Sequence, residues 1–488
     1  MESQTVTDNQ NYIAGEWVDA SSGATFEQRN PANLEEVTGT WPACTRDDAK
    51  RAIAAARDAY PAWRAMGVYK RAEYLKRALA LMMERREPIA RVLTAENGKT
   101  LNESLTEIDA AIKEMEFQIS EGLRLGGTTV ATGADGVFAY QTRVPLGVVS
   151  IISPWNFPFN VPGRKGTPAL MAGNTVVFKP ASLTPGVGLE FTKLMIDAGL
   201  PEGVWNFVTG GGSTVGEEFT THPEIKAISF TGSTDVGMRI NQKASENLIR
   251  TQLELGGKNP LIILDDADLA AAALSAVTGA FACAGQWCTS TSRVIVTDAV
   301  ADEVVEKIVA GARKLKPGPG TDESTTLGPV CGQQQLESIL AYIRLGKEEG
   351  ATLLTGGGQP DDPALANGCF IEPTVFDHVR PEMRIAREEI FGPVLSIIRV
   401  KDFERAMRVA NDVEFGLSSS IYTNDLSKTF AFLEQTDVGL AHVNMVTAYK
   451  EPQLSFGGVK ASGFGVPEAG ETGIEFFSEH KVAYVKHR

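Results

Sequence analysis

The chain is poor in cysteine, with five in 488 residues and no CxxC pair. That excludes a disulfide framework and the usual thiolate zinc site, and leaves Cys44, Cys283, Cys288, Cys331 and Cys369 as free thiols. No apolar run reaches the roughly 18 residues needed to cross a bilayer. The opening segment MESQTVTDNQ lacks the charged and then apolar pattern of a secretory leader, so the expected compartment is the cytoplasm. Positive charge is the minority, and a net charge of -15 repels nucleic acids and anionic membranes; neither is an expected partner. The GxGxxG dinucleotide fingerprint is missing. So are internal repeats, low-complexity segments and any metal-ligand constellation. The five histidines sit in contexts with no evident catalytic setting.

What is present is length and rhythm. A chain of 488 residues exceeds what one core serves, and domains of roughly 100–200 residues give an expectation of two to four. Residues 45–125 read as helical. Thr45 with Asp47 and Asp48 makes a helix start, and EYLKRALALMMERREPIARVL continues with apolar residues at three and four spacing. From Leu146 the texture changes to short β-branched runs: LGVVSIIS, NTVVFK, VWNFVT, KAISFT and PLIIL. Helical stretches such as TPGVGLEFTKLMIDAGLP separate them, with Gly199 and Pro201 at that helix's end. Strands alternating with helices predict parallel sheets covered on both faces. A pause at Gly256–Gly257 predicts a boundary between two α/β domains. The last stretch, IEFFSEHKVAYVKHR, reads as a strand or two.

Four sites carry candidate chemistry. Cys288, in AGQWCTST, follows a helix in a turn opened by Gly285, where a thiol has access and neighbouring backbone N–H groups. The blander reading is a buried apolar residue, and Cys283 in FACAG takes that role. Glu254, in QLELGGKNP, is a carboxyl among leucines, whose desolvation raises its pKa toward that of a useful base; a salt-bridged Glu at a strand end is the alternative. Asn156, in SPWNFPFN, stands in a stiff loop as a preorganised amide donor or as an Asx-turn residue. FTGSTDVG and KPAS sit at strand ends, where phosphates meet helix N-termini and nucleotide sites form.

Taken in order, PWNFP, VVFKPAS, FTGST, LELGGKNP, GQWCTS, EEIFGPV and the FGGVKASG segment from Phe456 resemble the motif series of the aldehyde dehydrogenase superfamily, over nearly the whole chain. The resemblance implies an α/β fold with two open parallel-sheet domains: a Rossmann-like cofactor domain (1–132 and 151–256) and a catalytic domain (257–445). It also implies a small β oligomerisation element (133–150 and 474–488), with 446–473 returning to the cofactor side. Dimers or tetramers are usual in such proteins. By the same resemblance Cys288 is the nucleophile and Glu254 the general base, and Asn156 with the Cys288 N–H forms the oxyanion hole. Trp155, Lys179, Ser182, Gly232, Ser233, Leu255, Glu389 and Phe391 match cofactor-binding positions, and Arg164 and Phe456 match substrate-binding ones.

The resemblance implies oxidation of an aldehyde through a Cys288 thioester hydrolysed by Glu254-activated water. CoA-acylating relatives generally lack that Glu, a cysteine hydrolase would want a His base, and a non-catalytic paralogue would tolerate loss of Cys288 or Glu254. NAD-preferring relatives commonly carry Glu where this chain has Ser182. Ser182 with Lys179 therefore predicts use of NADP, alone or beside NAD. HVNMVTAYKEPQLSFGG resembles the 2-oxoglutarate semialdehyde (2,5-dioxopentanoate) type more than the succinate semialdehyde type. Sulfonated aldehydes are a further expectation, because a carboxylate site accepts a sulfonate. Arg164 is expected to bind the substrate's anionic group, against the alternative that it pairs with a structural acid.

Overall fold

The computed structural model describes residues 9–487. Four helices, Arg46–Ala65, Val68–Glu84, Arg86–Asn97 and Leu101–Arg124, fill the region read as helical. The first starts where the sequence places it. The Thr45 hydroxyl accepts from the Asp48 N–H, and the Asp48 carboxylate accepts from the Thr45 N–H in return.

The β-branched runs build a first sheet. Five parallel strands form its centre in the order Trp205–Phe207, Thr175–Lys179, Val148–Ile152, Ile225–Thr231 and Arg250–Glu254. Antiparallel partners close both edges: Asn11–Ile13 beside Trp205–Phe207, and Gly463–Phe464 beside Arg250–Glu254. From Val148–Ile152 the chain first adds strands on one side and later on the other. The crevice of this sheet therefore opens beyond the carboxyl ends of Val148–Ile152 and Ile225–Thr231, where strand order reverses.

Between Glu254 and Asn259, at Gly256–Gly257, the chain leaves the first sheet and begins the second. That sheet runs Thr352–Thr355, Thr374–Asp377, Val394–Val400, Thr291–Thr297, Asn259–Ile263, Ser418–Tyr422 and Leu440–Val443, and all but its first pair are parallel. One core surrounds this sheet, and two cover the faces of the first. A third sheet joins Ser478–Lys486, Val137–Pro145 and Thr128–Val130, all antiparallel.

Two expected outlines shift. Residues 128–130 pair with the small sheet, while Val148–Ser150 belong to a central strand of the first sheet. The segment read as terminal strands begins as a helix, Gly470–Phe476, and the single strand starts at Ser478. Ile474, Phe476 and Phe477 are buried in the first domain's core. Burial against helices, which a short apolar run does not announce, decides for helix there.

Candidate active site

Cys288 owes its position to a strained turn. After the helix Leu269–Phe281, Cys283 and Ala284 adopt left-handed backbone (φ 52° and 54°) and Gly285 follows at φ 68°. Any Cβ on Gly285 would lie 2.2 Å from the Gly392 carbonyl oxygen, so only glycine fits. The Cys283 N–H donates to Glu103 Oε1 at 2.6 Å, and its side chain is buried, as a packing residue should be. Cys288 itself is half-buried against Leu417, Phe456 and Ala469. Its carbonyl is held by Asn259 Nδ2 at 2.8 Å.

A cleft between the two large sheets is lined by Cys288, Asn156, Glu254, Leu255, Arg164, Phe456, Phe157, Asn160, Trp287, Lys450 and Glu468, among others. Three sequence candidates from three separate segments, Asn156, Glu254 and Cys288, thus meet in one place. Asn156 is buried, and its Nδ2 donates to the Gln286 carbonyl at 3.1 Å, leaving its second amide hydrogen for the cleft. Asn97 Nδ2 holds the adjoining Trp155 carbonyl at 2.9 Å, and the Glu107 carboxylate caps the Phe159 and Asn160 N–H groups. These bonds tie the loop down on both sides of Asn156.

Glu254 ends the strand Arg250–Glu254 and is buried, with Oε2 lacking any hydrogen-bond partner. Burial, and then the negative Glu468, raise its pKa well above the usual carboxyl value; Lys165 and Arg164 pull the other way. Burial pushes the Cys288 thiol up to about 12, opposed by the positive charges of Arg164 and Lys450. None of the five histidines lines this cleft. Among the described residues no cluster of His, Cys, Asp or Glu is placed to hold a metal ion.

Arg164 lines the cleft but is already engaged. Nε and Nη2 grip Glu114 at 2.8 Å each, Nη2 also reaches Asn160 Oδ1 at 2.8 Å, and Nη1 meets Glu468 at 2.7 Å. Its guanidinium lies 4.8 Å over the Phe456 ring. Four of the five guanidinium N–H groups thus meet Glu114, Asn160 and Glu468, the pairing that the sequence reading set beside a substrate-anion role. Lys165, Glu114, Glu468 and Lys450 escaped the sequence reading. Lys165 directly follows Arg164, and Lys450 lies inside HVNMVTAYKEPQLSFGG, but nothing local marks their partners.

A second cavity of about 450 Å³ opens at the strand ends of the first sheet, lined by Ile152, Lys179, Gly212, Val236, Arg239 and Ile240 among others. Lys179 is buried with one hydrogen bond, to the Pro180 carbonyl at 3.0 Å, and burial lowers its pKa to about 8. A buried ammonium with unused hydrogens suits an anionic or hydroxyl-rich ligand. Ser182 lies exposed three residues on. Gly232 follows the strand Ile225–Thr231, and Ser233 N-caps the helix Thr234–Glu246 without a side-chain cap bond, leaving N–H groups open. Glu389 Oε1 accepts from the Gly257 N–H at 2.8 Å, and burial raises its pKa to about 7. Trp155 and Phe391 meet edge to face at 5.4 Å. The buried cation, the open helix terminus and the apolar side chains of this cavity suit a nucleotide's phosphates, hydroxyls and base.

A cysteine, a buried carboxyl and an amide meet in one cleft, and the chain belongs to the aldehyde dehydrogenase family of oxidoreductases, whose model matches residues 17–483. It is 42% identical over 476 residues to the alpha-ketoglutaric semialdehyde dehydrogenase of Bacillus subtilis (98% of each chain). It is 38% identical over 469 residues to the succinate-semialdehyde dehydrogenase [NADP(+)] of Escherichia coli (96% of each). The crystal structure of betaine aldehyde dehydrogenase from Staphylococcus aureus in complex with NAD+ superposes with a TM-score of 0.96 at 34% identity, covering 98% of this chain and 95% of that one.

Proposed function

We propose that the protein oxidises a small anionic semialdehyde to the corresponding acid, with 2-oxoglutarate semialdehyde first and succinate semialdehyde second among substrates. One observation carries the reading: Cys288, Asn156 and Glu254 line one cleft together with the cations Arg164 and Lys450. The Cys288 sulfur, as thiolate, adds to the aldehyde carbon, and the Asn156 amide and Cys288 N–H receive the oxyanion. A bound NADP or NAD supplies the two-electron acceptor. Trp155, Lys179, Ser182, Gly232, Ser233, Leu255, Glu389 and Phe391 would hold it. Glu254 then takes a proton from water, which attacks the Cys288 thioester and frees the acid. The names of the similar semialdehyde dehydrogenases support the substrate class.

The exposed side chains Val130, Phe138, Tyr140, Val482 and Tyr484 on the three-stranded sheet support assembly into a homodimer or homotetramer. The five unpaired thiols suit a reducing cytoplasm. A panel of carboxylated, sulfonated and uncharged aldehydes, followed by reduced-cofactor absorbance with NADP and with NAD, tests the reading. The five-carbon 2-oxo semialdehyde should give the highest kcat/KM. Preference for an uncharged aldehyde would overturn it.

A further inference from the structure

The cations and carboxylates behind the cleft form one alternating chain. Lys450 pairs with Glu114 at 2.7 Å, Glu114 with Arg164 at 2.8 Å, Arg164 with Glu468 at 2.7 Å, and Glu468 with Lys165 at 2.6 Å. Three cations alternate with two carboxylates, so the chain carries one positive charge in excess. Where that charge faces solvent depends on the ends. Lys165 is sealed, its side chain fully buried and its Nζ also bonded to Ser229 Oγ at 2.8 Å. Arg164, in the middle, has four donor contacts and is buried. Lys450 differs. Its side chain is a quarter exposed and lines the cleft, and its Nζ contacts Glu114 and, at 3.3 Å, Asn160 Oδ1. One of its three ammonium hydrogens remains unengaged.

We infer that Lys450 is the residue that receives the distal anion of the substrate, a carboxylate or sulfonate a few carbons from the aldehyde. Arg164 and Glu114 position its ammonium. The inference rests on the anionic-aldehyde reading above and assigns its specificity to one residue. The Phe456 ring, 5.9 Å from Lys450 Nζ and under the Arg164 guanidinium, gives the intervening carbons an apolar wall. The same charges pull on the Cys288 thiol, which places Lys450 within electrostatic reach of the nucleophile.

The test compares wild type, Lys450→Met and Lys450→Arg on three aldehydes of similar length, ending in a carboxylate, a sulfonate or a methyl group. Lys450→Met should lower kcat/KM for both anionic aldehydes about 10- to 100-fold, mainly through KM, and change the uncharged one less than about threefold. Lys450→Arg should keep most of the preference. Loss on the carboxylate alone would narrow the ligand class to carboxylates and still support the assignment. Equal losses on charged and uncharged aldehydes, or an anion preference that survives Lys450→Met, would overturn it while the anionic-aldehyde reading stands. Wild type without anion preference would overturn both. If Lys450→Met does not fold, judged by cofactor quenching of tryptophan fluorescence, Lys450→Gln takes its place with the same expectations.

Discussion

Asn156 Nδ2 donates to the carbonyl of Gln286 across 3.1 Å, which ties the proposed oxyanion donor to the turn that presents Cys288. The donor and the nucleophile are thus located by one hydrogen bond, and neither swings independently. Asn156→Ala should lower kcat about 10²- to 10³-fold, the usual effect of losing one preorganised donor. Cofactor affinity should be unchanged. Rapid-mixing measurement of the first turnover checks this, and a loss of only a few-fold would remove Asn156 from the role.

Cys288 and Glu254 act in different halves of the proposed cycle. Cys288→Ala should abolish reduced-cofactor formation from every aldehyde. Glu254→Gln should give one burst of reduced cofactor per site and then stall as an acyl enzyme, visible by mass spectrometry and released by hydroxylamine. Steady turnover near wild type would exclude Glu254 as the base.

The raised pKa of Glu254 sets a pH limb. A base works when deprotonated, so thioester hydrolysis should accelerate as pH rises toward the raised value, well above the ordinary carboxyl range. Glu468→Gln removes a negative neighbour and leaves Arg164 and Lys165 less neutralised. Both effects favour the charged form of Glu254, so the limb should move to lower pH. A pH profile of single-turnover hydrolysis reads the shift, and movement to higher pH would contradict this electrostatic account.

On the proposed reading, cofactor choice should turn on the strand end at Lys179. Ser182→Glu should shift preference toward NAD by placing a carboxylate where a 2′-phosphate would lie. Lys179→Met should weaken NADP more than NAD. Titration of both cofactors against each variant checks the difference; equal weakening would mean that Lys179 meets a part common to the two.

Arg164 should prove structural first. Arg164→Ala leaves Glu114 and Glu468 buried with fewer partners, and removing one partner of such a group costs about 3–5 kcal/mol. Thermal unfolding should show a clear fall in Tm, and Arg164→Lys should not restore it, because a single ammonium cannot reproduce the forked contacts.

Much of this was legible in the chain. The runs LGVVSIIS, NTVVFK and KAISFT announce buried parallel strands because both of their faces are covered. Thr45 with Asp48 announces a helix start because both partners lie within one turn. Cys288, Glu254 and Asn156 stood out only as candidates in their settings (a glycine turn, a strand end among leucines and a loop between prolines), and their roles came from the order of motifs that resembles the family. The ion-pair chain was not. Glu114 and Lys450 are 336 residues apart, and long-range charge pairing leaves no periodicity. Nor was the Gly470–Phe476 helix, whose apolar residues suit strand and helix alike until a surface to bury them exists.

That late helix bears on how the molecule is made. Phe477 hands its carbonyl to Asn174, Gly463–Phe464 closes the edge of the first sheet, and Ser478–Lys486 pairs along Val137–Pro145. The first domain is therefore completed by segments that follow it by more than 200 residues. A nascent chain halted before about residue 460 would have all of Cys288, Glu254 and Asn156 but an open sheet edge and an unfilled core beside them. Ribosome-bound intermediates of this protein should bind chaperones through that region until Gly463–Phe464 and Ser478–Lys486 have emerged.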